Sequence, residues 1–253
     1  MARTALITGP TSGIGLEFAH QLAGRGHDLV LVARDEDRLK QVAAELEQKY
    51  AVHAEVLPAD LADRAQLAGV EDRLRTGTPP VELLVNNAGF GLKRPFLANP
   101  VEDEQQMLDV LVTAVMRLTH AALTSMTSRG GGQIVNVSSV AGFLPRGTYS
   151  AAKAYVTTFS LWADATYRSQ GVQVMSLCPG FTRTEFHQRM HVRRESAPSW
   201  GWLPVDRVAR EGLADLDAGK RLSVPSRRYK LVTAVVRFVP TTVLAKFQGV
   251  GRG

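Results

Sequence analysis

Seven short apolar runs punctuate the chain: Thr4 to Thr8, Leu29 to Ala33, Val52 to Leu57, Leu83 to Asn86, Ile134 to Val137, Val172 to Cys178 and Leu222 to Val224. They are near-continuous series of Val, Ile, Leu and Ala rather than alternations with polar residues, the pattern of strands covered on both faces. Between most neighbouring runs lies a stretch of helical period, with room for one helix. Strands alternating with helices predict a parallel, doubly wound α/β sheet of about seven strands, with right-handed crossovers and a ligand crevice at the carboxyl ends of the strands. The longest helical stretch runs from about Val101 to Ser128 and stops at Gly130-Gly131-Gly132.

Two segments break the alternation. From Phe186 to Pro204 the chain mixes His, Met, Arg, Trp and Pro without a clean period, so a substrate-covering loop is expected over about 185–204. From Arg227 through Tyr229 to Lys246 apolar residues interleave with bases around Pro240. A basic, apolar C-terminal helix over about 227–247 is expected, packing on the domain or a partner subunit, or lying on an anionic membrane surface.

Composition narrows the picture. With 253 residues and 45% hydrophobic content, the chain suits one large core and a single domain over 1–253. Cys178 is the one cysteine, which excludes an internal disulfide. A cytoplasmic location is therefore the default. The first residues enter a strand without a charged, apolar and small-residue leader pattern, and no run of about 18 apolar residues occurs, so neither a secretory signal nor a membrane span is expected. The net charge is +6, but apart from small clusters at Arg193-Arg194 and Arg227-Arg228-Lys230 the bases are spread along the chain. A solvated basic surface with some pull on anionic substrates or lipid headgroups fits this better than a nucleic-acid partner.

After the first run comes Thr8-Gly9-Pro10-Thr11-Ser12-Gly13-Ile14-Gly15, leading into a helix. Glycines there permit a tight turn and close approach of a pyrophosphate to a helix N-terminus, whose dipole favours an anion. Gly9, Thr11, Ser12, Gly13, Ile14 and Gly15 are the candidates for holding it. The Gly-x-x-x-Gly-x-Gly spacing resembles the cofactor motif of the short-chain dehydrogenase/reductase family, whose Rossmann-like fold matches the predicted sheet. At the end of the second run stands Ala33-Arg34 rather than an acidic residue. A guanidinium can grip a ribose 2′-phosphate that a carboxylate would repel, so NADP (NADPH) is the expected cofactor, with Arg34 its selector and Arg38 a possible assistant.

The resemblance extends along the chain in order. Asp60-Leu61 matches the family's adenine contact and Asn86-Asn87-Ala88-Gly89 its adenosine-side turn, with Asn87 the binding candidate. Pro179-Gly180-Phe181-Thr182-Arg183-Thr184 matches the turn beside the nicotinamide, which assigns Pro179, Gly180, Thr182 and Thr184 to that end. Tyr149 and Lys153, four apart, share a helix face. A cation about 4–6 Å from a phenol favours the phenolate, so the pair is expected to bring Tyr149 nearer working pH and let it exchange a proton with a carbonyl oxygen. A serine at the preceding strand end would stabilise that oxygen. Ser139 is chosen by its match to the family's serine motif, with Ser138 the alternative; Ser139, Tyr149 and Lys153 are the catalytic candidates.

One position departs from the family. Leu111 stands where an asparagine usually supports a water-linked proton relay through the lysine. The expected activity is interconversion of a hydrophobic ketone or aldehyde and its alcohol; the alternative is a catalytically impaired NADP-binding regulatory or structural subunit. Phe90, Phe96, Phe143, Leu144 and Tyr155 are the expected apolar pocket, His187, His191, Trp200 and Trp202 a lid. No histidine has metal-ligand spacing, so no metal is expected. The resemblance implies a homodimer or homotetramer.

Overall fold

The computed structural model describes residues 3–92, 94–183, 201–236 and 239. Its strands are β1 (Thr4–Thr8), β2 (Asp28–Ala33), β3 (Ala54–Pro58), β4 (Val81–Asn86), β5 (Gly132–Val137), β6 (Val172–Leu177) and β7 (Leu222–Ser223). All pair in parallel, in the order β3-β2-β1-β4-β5-β6-β7. The order reverses between β1 and β4, and a crevice opens there because successive crossovers leave toward opposite edges.

The strands carry apolar side chains on both faces, as the unbroken runs require. In β2, Leu29 and Leu31 point to one core and Val30 and Val32 to the other. The first core is closed by α1 (Gly13–Ala23), α2 (Glu36–Tyr50) and α7 (Val205–Asp217), through Phe18, Leu22, Leu39, Leu46, Val208 and Leu213. The second is closed by α3 (Arg64–Thr76), α5 (Val115–Ser128) and α6 (Thr148–Tyr167), through Leu67, Val70, Leu118, Ala122, Met126 and Ala163.

The long helical stretch is continuous but not uniform. It comprises α4 (Val101–Leu108), a π-helical segment Asp109–Ala114, and α5. By length and composition it could span a bilayer, yet half of its most apolar part is buried within the protein, as befits a core helix. Helix α8 (Arg227–Val236) covers the described part of the expected C-terminal helix; the remainder of that stretch toward residue 247 lies outside the described residues, Val239 apart.

Candidate active site

The glycine turn is braced from the neighbouring strand. The Thr8 hydroxyl accepts the backbone N–H groups of Asn87 at 2.9 Å and Ala88 at 3.0 Å. The Asn87 amide donates in return to the carbonyls of Thr8 at 3.0 Å and Gly9 at 3.1 Å. Asn87 thus ties the ends of β1 and β4 together. Gly15, in the first turn of α1, touches the same brace: a Cβ there would lie 2.1 Å from the Gly9 oxygen and 2.3 Å from Asn87 Nδ2. Only glycine lets the helix start this close to the turn.

Above the turn opens a cavity of about 920 Å³, lined by Gly9, Thr11, Ser12, Gly13 and Ile14, by Arg34, Asp60, Leu61 and Asn87, and by Ser139, Tyr149, Lys153, Pro179, Gly180 and Thr182. Gly15 lies behind this wall, supporting it rather than facing the cavity. Thr184 lies outside the described residues. At the outer end Arg34 extends its guanidinium to 3.9 Å from the Asp60 carboxylate, and Arg38 donates to Gln41.

At the inner end, α6 presents a polar stripe to the sheet. Lys153 Nζ donates to the Val137 carbonyl at 2.8 Å, and the Ser138 hydroxyl donates to the Lys153 carbonyl at 2.7 Å. Ser138 also bonds the Thr157 hydroxyl at 2.8 Å. Further along, Asn136 donates to Ser160 at 3.0 Å and accepts from Asn86 at 2.8 Å. The Ser138 hydroxyl is therefore spent on fixing α6 to β5. Ser139 accepts the Ala141 N–H at 3.1 Å and bonds the Tyr149 hydroxyl, and both serines line the cavity with the phenol.

The electrostatics differ from the expectation that Lys153 would bring the phenol down. Burial pushes Tyr149 up to about 12, opposed by the Ser139 bond. Burial likewise brings the ammonium of Lys153 down to about 8, opposed by the field of Cys178. The ammonium is bound to the Val137 carbonyl and lies 5.8 Å from the centre of the phenol ring.

Leu111, in the π-helical segment, is fully buried with Met107 and Ala152 against Phe90, Leu92 and Tyr149. One of its methyl carbons would be 2.7 Å from a Cβ on Gly89, a point only 4.0 Å from Lys153 Nζ. Hydrocarbon thus stands beside the lysine where the resemblance led us to look for an amide.

The expected apolar pocket needs correction. Of its five residues, Phe90 alone lines the cavity. Phe96 is 58% exposed on a short turn, and Tyr155 points outward from α6, where it stacks on Phe159 with ring centres 5.7 Å apart. Phe143 and Leu144 are half-buried in the connection before α6. His187, His191 and Trp200 lie outside the described residues; Trp202 packs on Phe181, ring centres 5.5 Å apart.

A residue the sequence did not flag for the site is Tyr229, on α8. Its hydroxyl accepts the Phe181 N–H at 3.1 Å and donates to the Gly201 carbonyl at 2.8 Å, clasping both flanks of the loop between β6 and α7. Burial raises its pKa, which keeps that donor in place. The ring lies where a Cβ on Gly180 would be, 2.1 Å away, so this glycine too is required by close approach. The flanks are also joined by a parallel bridge between Thr182 and Leu203.

A family model described as short chain dehydrogenase matches residues 3–195. A very-long-chain 3-oxoacyl-CoA reductase of Anas platyrhynchos is 36% identical over 190 residues, 72% of this chain and 60% of that protein. The chain thus spans about 60% of the length of such relatives. Among solved structures, a short-chain dehydrogenase from Sphingobium yanoikuyae in complex with NADPH superposes with a TM-score of 0.86 at 35% identity, over 93% of each chain. A bulky-bulky ketone specific alcohol dehydrogenase from Comamonas testosteroni gives 0.81 at 30% identity, over 94% of this chain and 95% of the other.

Proposed function

The chain belongs to the short-chain dehydrogenase family, and from that premise we propose that it is an NADP(H)-dependent oxidoreductase interconverting a hydrophobic ketone or aldehyde and its alcohol. One observation carries the reading: Ser139, Tyr149 and Lys153 line the same cavity as the glycine turn and Arg34. The cradle fits a dinucleotide, because Gly15 leaves the turn uncrowded and Arg34 offers a cation at the far end. NADPH bound there supplies the hydride. The protein's part is acid–base and electrostatic: Tyr149 gives its proton to the substrate oxygen, Ser139 steadies that oxygen by a hydrogen bond, and charged Lys153 stabilises the phenolate left behind.

The test is to follow NADPH absorbance over a panel of apolar ketones and aldehydes. Turnover supports the reading. Leu111 favours a second one, a cofactor-binding protein of little turnover, which tight NADPH binding without turnover across the panel would support.

Two further outcomes are expected. Arg34→Ala should weaken NADPH binding by roughly 10- to 100-fold, the worth of one or two charge-assisted hydrogen bonds, while NADH binding barely changes; equal losses for both would remove Arg34 as selector. The pH dependence follows from Lys153, whose ammonium is present below about 8 and lost above it. Tyr149 keeps its proton to about 12, so it does not limit reduction across that range. The rate of reduction should therefore hold below pH 8 and fall above it, approaching tenfold per unit. A profile flat to pH 10 would contradict this.

A further inference from the structure

In the turn after β6, Pro179, Gly180 and Thr182 line the cavity, while the Phe181 ring packs on Trp202. Val140, the residue after Ser139, donates its N–H to the Pro179 carbonyl at 3.0 Å, which sets the turn beside the Ser139 end of the cavity. One peptide unit of the turn is held at both of its polar atoms. The Phe181 N–H donates to the Tyr229 hydroxyl at 3.1 Å, and the Gly180 carbonyl accepts the Thr182 hydroxyl at 3.0 Å. Glycine restrains its own backbone less than any other residue, so this unit needs outside support to keep one orientation. Tyr229 creates the need and meets it. Its ring lies 2.1 Å from where a Gly180 Cβ would be, and its hydroxyl fixes the peptide that the glycine leaves loose.

Beyond this peptide the chain pairs with Leu203. The Leu203 N–H donates to the Phe181 carbonyl at 2.8 Å, and the Arg183 N–H donates to the Leu203 carbonyl at 3.0 Å. In such a parallel bridge the polar groups of the residue between point the other way, so the N–H and C=O of Thr182 face away from Leu203. Rotation of the Gly180–Phe181 peptide would carry Thr182 with it. The Tyr229 hydroxyl checks that rotation from both flanks, because it also donates to the Gly201 carbonyl at 2.8 Å, two residues before Leu203.

We propose that Tyr229 is a positioning residue for the nicotinamide half of the cofactor: through the Gly180–Phe181 peptide it fixes the turn against which that half rests. This role presupposes the reading that seats the nicotinamide beside Ser139 and Tyr149 and the adenosine beside Arg34. Tyr229 stands behind the cavity wall, so its effect passes through the turn.

The experiment is calorimetric titration of the full chain with NADPH and with adenosine 2′,5′-bisphosphate, the half of the cofactor far from the turn. Tyr229→Phe keeps the ring on Gly180 and removes only the hydroxyl. NADPH should then bind about tenfold more weakly, the worth of the two lost hydrogen bonds, while the bisphosphate keeps its wild-type affinity within about twofold. Thr233→Val is the control. Thr233 is buried in the seat of α8, and its hydroxyl bonds carbonyls of its own helix, those of Tyr229 at 2.9 Å and Lys230 at 3.1 Å. Both ligands should bind this variant as they bind the wild type. Equal losses for NADPH and the bisphosphate in Tyr229→Phe would overturn the proposal, because a loosened fold would then be the cause. So would unchanged NADPH binding, or the same loss in Thr233→Val, which would assign the effect to the seating of α8. A wild type that binds the bisphosphate as tightly as NADPH would show that the nicotinamide half gains nothing from the turn. One that binds neither would sink the cofactor reading and the proposal with it.

Discussion

Tyr149→Phe is expected to lower the reduction rate by about 10²–10⁴-fold, the usual worth of a positioned proton donor, or ~3–5 kcal/mol of barrier. The substitution removes one oxygen and little else. The ring's neighbours, Met107, Leu111 and Ala152, are apolar and pack equally well on phenylalanine. The lost bond is to Ser139, whose hydroxyl still accepts from Ala141. The melting temperature and NADPH affinity should therefore stay near the wild-type values. Steady-state NADPH oxidation beside thermal unfolding reads both quantities. A variant that keeps more than a tenth of the activity would show that the proton comes from elsewhere.

Gly15→Ala should have the largest effect on the cofactor cradle. The added methyl would sit 2.1 Å from the Gly9 oxygen, 2.3 Å from Asn87 Nδ2 and 2.8 Å from the Gly9 carbonyl carbon. None of these can yield cheaply, because Asn87 is held by two bonds to the turn and the other contacts are backbone. Overpacking of this kind costs roughly 1–3 kcal/mol, which lowers the melting temperature by several degrees in a chain of this size. The displaced turn should also lose NADPH affinity, by tenfold or more on the same arithmetic. Gly69, inside α3 with nothing near its Cβ position, is the control: alanine there should leave both quantities intact or slightly raise stability. A Gly15→Ala protein as stable and as tightly binding as the wild type would refute the cradle argument.

Much of the fold was legible because burial on both faces leaves unbroken apolar runs, and all seven strands lie where those runs fall. The edges were less so. β4 begins at Val81, two residues before the run at Leu83, because the exposed Glu82 interrupts the apolar pattern. β3 begins at Ala54 rather than Val52: α2 ends at Tyr50, and Ala51 turns the chain with a φ of 55°. In the site, Gly9, Gly13 and Arg34, picked out from local sequence, do line the cavity. Residues whose job is set by tertiary contact were not readable. Ser138 and Ser139 are adjacent hydroxyls, and only the Lys153 carbonyl and Thr157 beneath Ser138 distinguish them. Tyr155 and Phe90 are both aromatics beside motif residues, yet helix phase turns one outward. Tyr–Lys spacing put the ammonium near the phenol but could not reveal that Val137 holds it.

The pair of bonds joining Lys153 to Val137 and Ser138 has a consequence for design. They fasten the Tyr149-bearing helix to its strand directly, from both the side chain and the main chain of a single residue. The connection from Val140 to Gly147 is then relieved of setting the distance between Ser139 and Tyr149. Apart from Gly142, where a Cβ would lie 2.8 Å from the Lys153 carbonyl carbon, its residues could be exchanged by design to reshape the cavity rim while Tyr149 and Lys153 stay where the strand holds them.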